Sequence, residues 1–315
     1  MKSRRTSPVA VALLLLAVAG PCTAAAKVVF VLSKPDAPYA TLVRAVQDGL
    51  AAQRAGDVEL DIRGVAEFDA AAAMPGALVV VAVGVEAARR VAQANPSAPI
   101  LHTLVPRATI TGILQGGRNN RPAQSRDSAI YLDQPLGRRL DLIRAALPRH
   151  KRLAVLLGPT TLALASELRA AAAERGFKLT LTSLNQREQL LPALEELLED
   201  NDVLLSVADP LVYNSETIHH VLLTTYRYRI PVLGLSKAYV DAGALLAVYS
   251  TPEQIGQQVA QLLEGWVRTG KGALPAPAYP RQFVISVNRR VAASLDLALE
   301  SEAVLQRKLE ALARP

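Results

Sequence analysis

The sequence predicts an α/β fold of two Rossmann-like lobes, each on a parallel sheet, joined by a hinge. Three observations carry this. From Lys27 onward, apolar runs of strand length alternate with longer segments of helical periodicity. Runs such as ALVVVAV, Ala77 to Val83, are apolar throughout, as strands buried on both faces require. The second half of the chain then repeats the plan of the first, down to a local echo. One helix ends in Asn95-Pro96-Ser97-Ala98-Pro99 before ILHTL, and another ends in Arg227-Tyr228-Arg229-Ile230-Pro231 before VLGL. Pro stops the helix and sets an extended entry to the strand in both places.

Taken in order, Val28 to Leu32 reads as a strand, Tyr39 to Arg54 as a helix, Val58 to Ile62 as a strand and Ala77 to Val83 as a strand. Gly84 turns the chain into a helix from Val85 to Ala94, and Ile100 to Leu104 is the next strand. The polar loop Gly116-Gly117-Arg118-Asn119-Asn120-Arg121-Pro122 is expected to be a mobile surface crossing. Asp133-Gln134-Pro135 breaks the pattern where the halves meet, around Tyr131 to Gly137.

The second half gives a strand at Leu153 to Leu157, a helix from Thr161 to Arg175 closed by Gly176, and a strand at Lys178 to Thr182. A helix from Arg187 to Glu199, a strand at Val203 to Val207, a helix from Ser215 to Tyr228 and a strand at Val232 to Leu235 follow. Ala244 to Tyr249 is a strand, and the helix Pro252 to Arg268 has Pro in its first turn. A Gly/Pro-rich stretch, Gly270 to Pro280, leads to the strand Phe283 to Val287 and a charged terminal helix.

The first 26 residues obey a different rule. Lys2, Arg4 and Arg5 precede the apolar stretch Val9 to Val18, and Ala24-Ala25-Ala26 offers small residues for cleavage. This is the pattern of a secretory signal peptide, too short in its apolar part to span a membrane. Cys22, the sole cysteine, lies inside it, and Pro21 before it makes a poor lipidation site. The exported chain therefore holds no cysteine, which removes disulfides, thiol catalysis and thiolate metal sites together. The expected division is a signal peptide over 1–26, a first lobe of 27–132 with about 250–280, and a second lobe of 133–249 with about 281–315.

Processing lowers the formal charge from +7 to +4, with 32 Lys and Arg against 28 Asp and Glu. That scattered excess, with 4% aromatic residues, argues against nucleic-acid binding. GWVRTGKG, Gly265 to Gly272, has phosphate-loop spacing, yet Gly272 stands where a magnesium-binding hydroxyl belongs and a helix precedes it. His219 and His220 are neighbours on a helix, pointing about 100° apart, and cannot share a metal. No Gly-x-Ser-x-Gly elbow occurs. No catalytic residue, metal site or cofactor is indicated.

Open α/β sheets bind ligands beyond the carboxyl ends of their strands. In the first lobe the polar residues there are Ser33 with Asp36, Gly84, and Thr103 beside His102. In the second they are Thr160 with Thr161, Ser206 with Asp209, and Ser236 with Tyr239. Each has a structural alternative, as a helix cap for Thr160 or a turn former for Asp36. Asp209 is the candidate freest for a ligand, because Asn214 or Ser215 can start the following helix.

The segments ADPLVYNSETI, YRIPVLGLSKAYVDAGALLAVYSTPEQIGQQVAQLL and FVISVNRRVAASLDL resemble the substrate-binding-protein-like components of ABC transporters, which have the type I periplasmic-binding-protein fold. The resemblance implies closure of two lobes on a small molecule, and delivery to an ABC permease in the envelope. It also implies that Asp209 accepts from a ligand ammonium or hydroxyl, which suggests an amino-acid-like solute. The expectation is thus a periplasmic solute-binding protein without enzyme activity. The alternative is a binding-fold sensor or accessory protein of the envelope with no transport role.

Overall fold

Burial on both faces decides how the apolar runs pair. The computed structural model describes residues 26–53, 58–69, 75–117, 127–269 and 274–312. The segment expected to be a signal peptide lies outside these residues together with Cys22, apart from Ala26, which opens the first strand. Strands β1 (Ala26–Leu32), β2 (Val58–Gly64), β3 (Ala77–Val83), β4 (Ile100–Val105) and β5 (Ser128–Tyr131) form a sheet in the order β2-β1-β3-β4-β5, parallel throughout. Alternate side chains of β3 supply two cores. Val79, Val81 and Val83 pack with Leu42, Val46 and Val259 on one face. Val80 and Ala82 pack with Ala87, Ala88 and Val91 on the other. A strand with both faces covered can be apolar at every position.

The second sheet contains β6 (Arg152–Leu157), β7 (Lys178–Ser183), β8 (Val203–Leu205), β9 (Val232–Leu233), β10 (Leu246–Tyr249) and β11 (Val284–Val287), in the order β11-β10-β9-β8-β6-β7. Its strands are parallel except β11, which runs antiparallel to β10. The order β7-β6-β8-β9-β10 repeats the winding of the first sheet. Each sheet therefore reverses strand order at one point, between β1 and β3 or between β6 and β8, where a crevice opens.

Helices α1 (Tyr39–Ala52) and α2 (Val85–Ala94) flank the first sheet as the periodicity predicts. Four elements of the described residues were not expected: α3 (Arg107–Gly117), β5, α4 (Leu136–Ala146) and the short helix Lys237–Ala242. The Thr, Ile and Gly content of α3 masks its helical period, and its loop beyond Gly117 lies outside the described residues. Asp133-Gln134-Pro135 reads as a break, but Pro135 stands at the N-cap position of α4, and a Cβ at Gly137 would lie 2.6 Å from the Arg175 guanidinium. The predicted helix from Thr161 begins as a 3-10 turn, Leu162–Leu164, before α5 (Ala165–Glu174). Helices α6 (Leu190–Glu199), α7 (Ile218–Arg227) and α8 (Lys237–Ala242) follow. The terminal helix is split into α10 (Arg289–Ser294) and α11 (Glu302–Leu312).

The chain passes between the sheets three times: after β5, after β10, and between the bridge of Ala278 to Ile130 and β11. The second passage delivers α9 (Pro252–Thr269) onto α1. Glycines permit that contact. A Cβ at Gly256 would lie 2.6 Å from the Leu42 carbonyl oxygen, and one at Gly49 would lie 2.6 Å from the Ala260 Cβ. Gly256→Val is therefore expected to lower the unfolding free energy by about 1–3 kcal/mol, read from the urea midpoint. An unchanged midpoint would contradict this close helix packing.

Candidate functional site

At the carboxyl ends of β6 and β8, the structure gives Asp209 a role opposite to the one expected. Its side chain is 1% exposed, and both carboxylate oxygens are occupied. Thr161 donates to Oδ2 through its backbone N–H at 3.1 Å and its hydroxyl at 2.9 Å, while the Leu211 N–H donates to Oδ1 at 2.9 Å. Gly158 leaves room for this, since a Cβ there would lie 2.1 Å from Oδ1. Asp209 thus clamps the turn after β6 to the turn after β8, rather than accepting from a solute. Asn214 does start the next turn as expected, its Oδ1 accepting from the N–H groups of Glu216 and Thr217.

The first-lobe candidates are also built into the scaffold. Ser33 is buried, and its hydroxyl accepts from the Ala87 N–H at 3.0 Å, in the first turn of α2. Gly84 has φ +92°, and a Cβ would lie 2.5 Å from both the Ser33 hydroxyl and the Tyr39 ring. Thr103 is fully buried, with its carbonyl accepting from the Gly84 N–H. Exposed Asp36 turns the chain into α1 through its carbonyl, which accepts from Tyr39 and Ala40.

In the second lobe, Ser206 is buried and its carbonyl accepts from the Arg139 guanidinium. Ser236 precedes α8 and its carbonyl accepts from Tyr239 and Val240. The Tyr239 ring is half-buried 6.5 Å from that of Tyr213, and burial raises its phenol above the usual range.

Thr160 is different. Exposed at the end of β6, it lines a cleft of about 1020 Å³ with walls from both lobes. Arg89, Arg107, Thr109 and Thr111 form one wall, and Thr160, Leu164 and Glu167 the other. The other eight candidate residues do not line it.

The charged groups of the cleft were missed by sequence reasoning. The Arg107 guanidinium pairs with the Glu167 carboxylate across the cleft. Burial opposes the charge of Arg107, but Glu167, Tyr279 and Asp133 together outweigh it and raise the guanidinium pKa. The Arg107 backbone N–H donates to Asp133. Below lies Arg139, fully buried, its pKa lowered to about 10 by burial against the opposing pull of Asp133. Burial raises the Asp133 carboxyl, while the Arg107 N–H and the Arg139 charge oppose the shift. One signal for Arg107 was available: like the other candidates it lies just past a strand end, in LVPR after β4. The arrangement presents hydroxyls and both signs of charge to a small molecule.

Residues 75–310 match the model of a family described as ABC transporter substrate binding protein. The chain belongs to this family. No curated protein matches it. Its fold is similar to that of a conserved domain protein from Vibrio cholerae O1 biovar El Tor, at 19% identity and TM-score 0.63, covering 90% of this chain and 98% of that one. It is equally similar to an ABC domain from Streptococcus pneumonia in complex with L-Trp, at 16% identity and TM-score 0.63, again covering 90% and 98%. A third, from Clostridium difficile, is the ligand-free, open form of a substrate binding protein with adhesive properties, at 17% identity and TM-score 0.62, covering 88% and 96%. At such identities the likeness establishes the type I periplasmic-binding fold. Solute binding follows from membership of the substrate-binding family.

In this substrate-binding protein, Asp209→Ala is expected to lower the stability of the ligand-free form by about 1–3 kcal/mol, because Thr161 and Leu211 lose their acceptor. Urea unfolding without added solute reads this directly. Undiminished stability with weakened solute binding would return Asp209 to the ligand.

Proposed function

We propose that the protein is the periplasmic solute-binding component of an ABC importer, which holds an amino-acid-like small molecule between its lobes for a permease and catalyses no reaction. The observation that carries this reading is the cleft of about 1020 Å³, walled by both lobes and lined by Thr109, Thr111, Thr160, Arg107 and Glu167. Its size suits a small solute, and a lining that mixes hydroxyl, amide and charged side chains with Ile113 and Leu164 suits orientation of a polar ligand. The signal-peptide pattern of residues 1–26 supports export to the periplasm. The lobe boundaries proposed are 27–132 with about 250–280, and 133–249 with about 281–315; the three passages between the sheets support them.

Closure follows if a solute gains contacts from both walls at once, because a ligand shifts a conformational equilibrium only by its differential affinity. The amino-acid class is supported by the paired charges of the cleft and by the L-Trp bound to the Streptococcus relative.

Thermal-shift screening of the exported chain against amino acids, oligopeptides and sugars tests the proposal. A true solute at about 100 times its Kd adds ~2.7 kcal/mol of stability and raises Tm. X-ray scattering with that solute should show a smaller radius of gyration. Absence of any shift across the panel would count against solute binding as the role.

A further inference from the structure

The walls of the cleft carry charge of opposite sign. Arg107 at the start of α3 and Arg89 on α2 stand on the first-lobe side, whereas Glu167 in the first turn of α5 stands on the other. The Arg107 and Glu167 side chains are 23% and 46% exposed, and their ion pair bridges the two walls. A pair this accessible to water adds little to folding stability. Each partner is nevertheless held from behind. The Arg107 N–H is taken by Asp133, and its guanidinium lies over the Tyr279 ring at 5.8 Å from the centroid. The Glu167 carboxylate sits at the positive end of a helix.

We propose that Arg107 and Glu167 are the recognition pair of the solute site, exchanging their mutual bond for a zwitterion that carries one carboxylate and one ammonium group. The solute carboxylate goes to Arg107 and its ammonium to Glu167. This rests on the solute-binding reading above and gives it a substrate class and a direction. Before binding, each charge neutralises the other. Afterwards each faces an opposite charge on the solute, so no charge is left uncompensated. A solute lacking one of its two charges strands one member of the pair in a narrowing cleft, and sites of this kind reject such analogues strongly. An uncharged solute leaves the pair intact and must fit around it. The acidic partner that the resemblance assigned to Asp209 is thereby supplied by Glu167, seven residues beyond Thr160 on the same wall.

The test is calorimetric titration of the exported chain with L-amino acids, each compared with its carboxyl amide and its N-acetyl derivative, and with myo-inositol as an uncharged probe. Loss of either charge is expected to weaken binding by about tenfold or more. In Glu167→Gln the penalty for N-acetylation should collapse while that for amidation persists. Arg107→Gln should give the mirror image, and circular dichroism checks that both variants fold. A structural role would weaken every probe alike, which would overturn the proposal. Retention of both penalties in both variants, or binding of myo-inositol in place of amino acids, would overturn the pair but leave solute binding standing. If no probe of the panel binds, the solute-binding reading itself fails and the recognition pair falls with it.

Discussion

The three passages between the lobes are tied together at one side chain, Ser250. Its hydroxyl accepts from Gln134 Nε2 on the first passage at 2.8 Å and donates to the carbonyl of Gln282 on the third. Arg138 reinforces the knot, donating to Gln134 Oε1 at 2.6 Å and to the Pro280 carbonyl at 3.2 Å, with its guanidinium 4.2 Å from the centre of the Phe283 ring. Buried polar groups hold so tightly because leaving one unpaired is costly. The passages are therefore tied into one shared pivot instead of three separate tethers.

The floor of the cleft grows out of that pivot. Asp133 and Gln134 are adjacent in the chain, so the residue that takes the Arg107 N–H sits beside the residue that binds Ser250. Tyr131, the last residue of β5, and Tyr279, on the third passage, meet edge to face at 5.2 Å. Arg139, one turn into α4, reaches the Ser206 carbonyl at the end of β8. Burying a guanidinium is expensive unless charges and acceptors compensate it, and here the Asp133 carboxylate and the Ser206 carbonyl do so. The lower cleft is consequently a closed network, while the Arg107 and Glu167 side chains above it remain open to exchange.

The same distinction separates Asp209 from Glu167. Both are carboxylates of the second lobe near the end of β6 or β8. Asp209 is sealed by three donors and by the absence of a Cβ at Gly158, so its geometry serves to lock two turns. Glu167 is 46% exposed and meets a partner from the opposite lobe. Rigid turns beneath a partly hydrated charge pair are a sound basis for recognition, because the scaffold holds its shape while the pair changes partners.

Much of the fold was legible in sequence. The boundaries of β3 and α2 emerge as read, and Gly84 between them makes the turn as read, with a positive φ. Local rules sufficed there because a strand buried on both faces leaves an unbroken apolar run, and a glycine turn leaves a break. Family membership was legible only as a resemblance, carried by long segments of the second half. The helices α3 and α4 were not, since their Thr, Gly and Pro residues obey tertiary contacts over propensity. The site was legible only as a sheet edge. Sequence placed Ser33, Gly84, Thr160 and Asp209 beyond strand ends, but which of them turns inward to a neighbouring loop and which faces the opposite lobe depends on residues far apart in the chain. Ser33 meets Ala87 only once the first sheet has formed, and Asp209 meets Thr161 only once the second has, whereas Arg107 meets Glu167 only after the pivot has set the two lobes face to face.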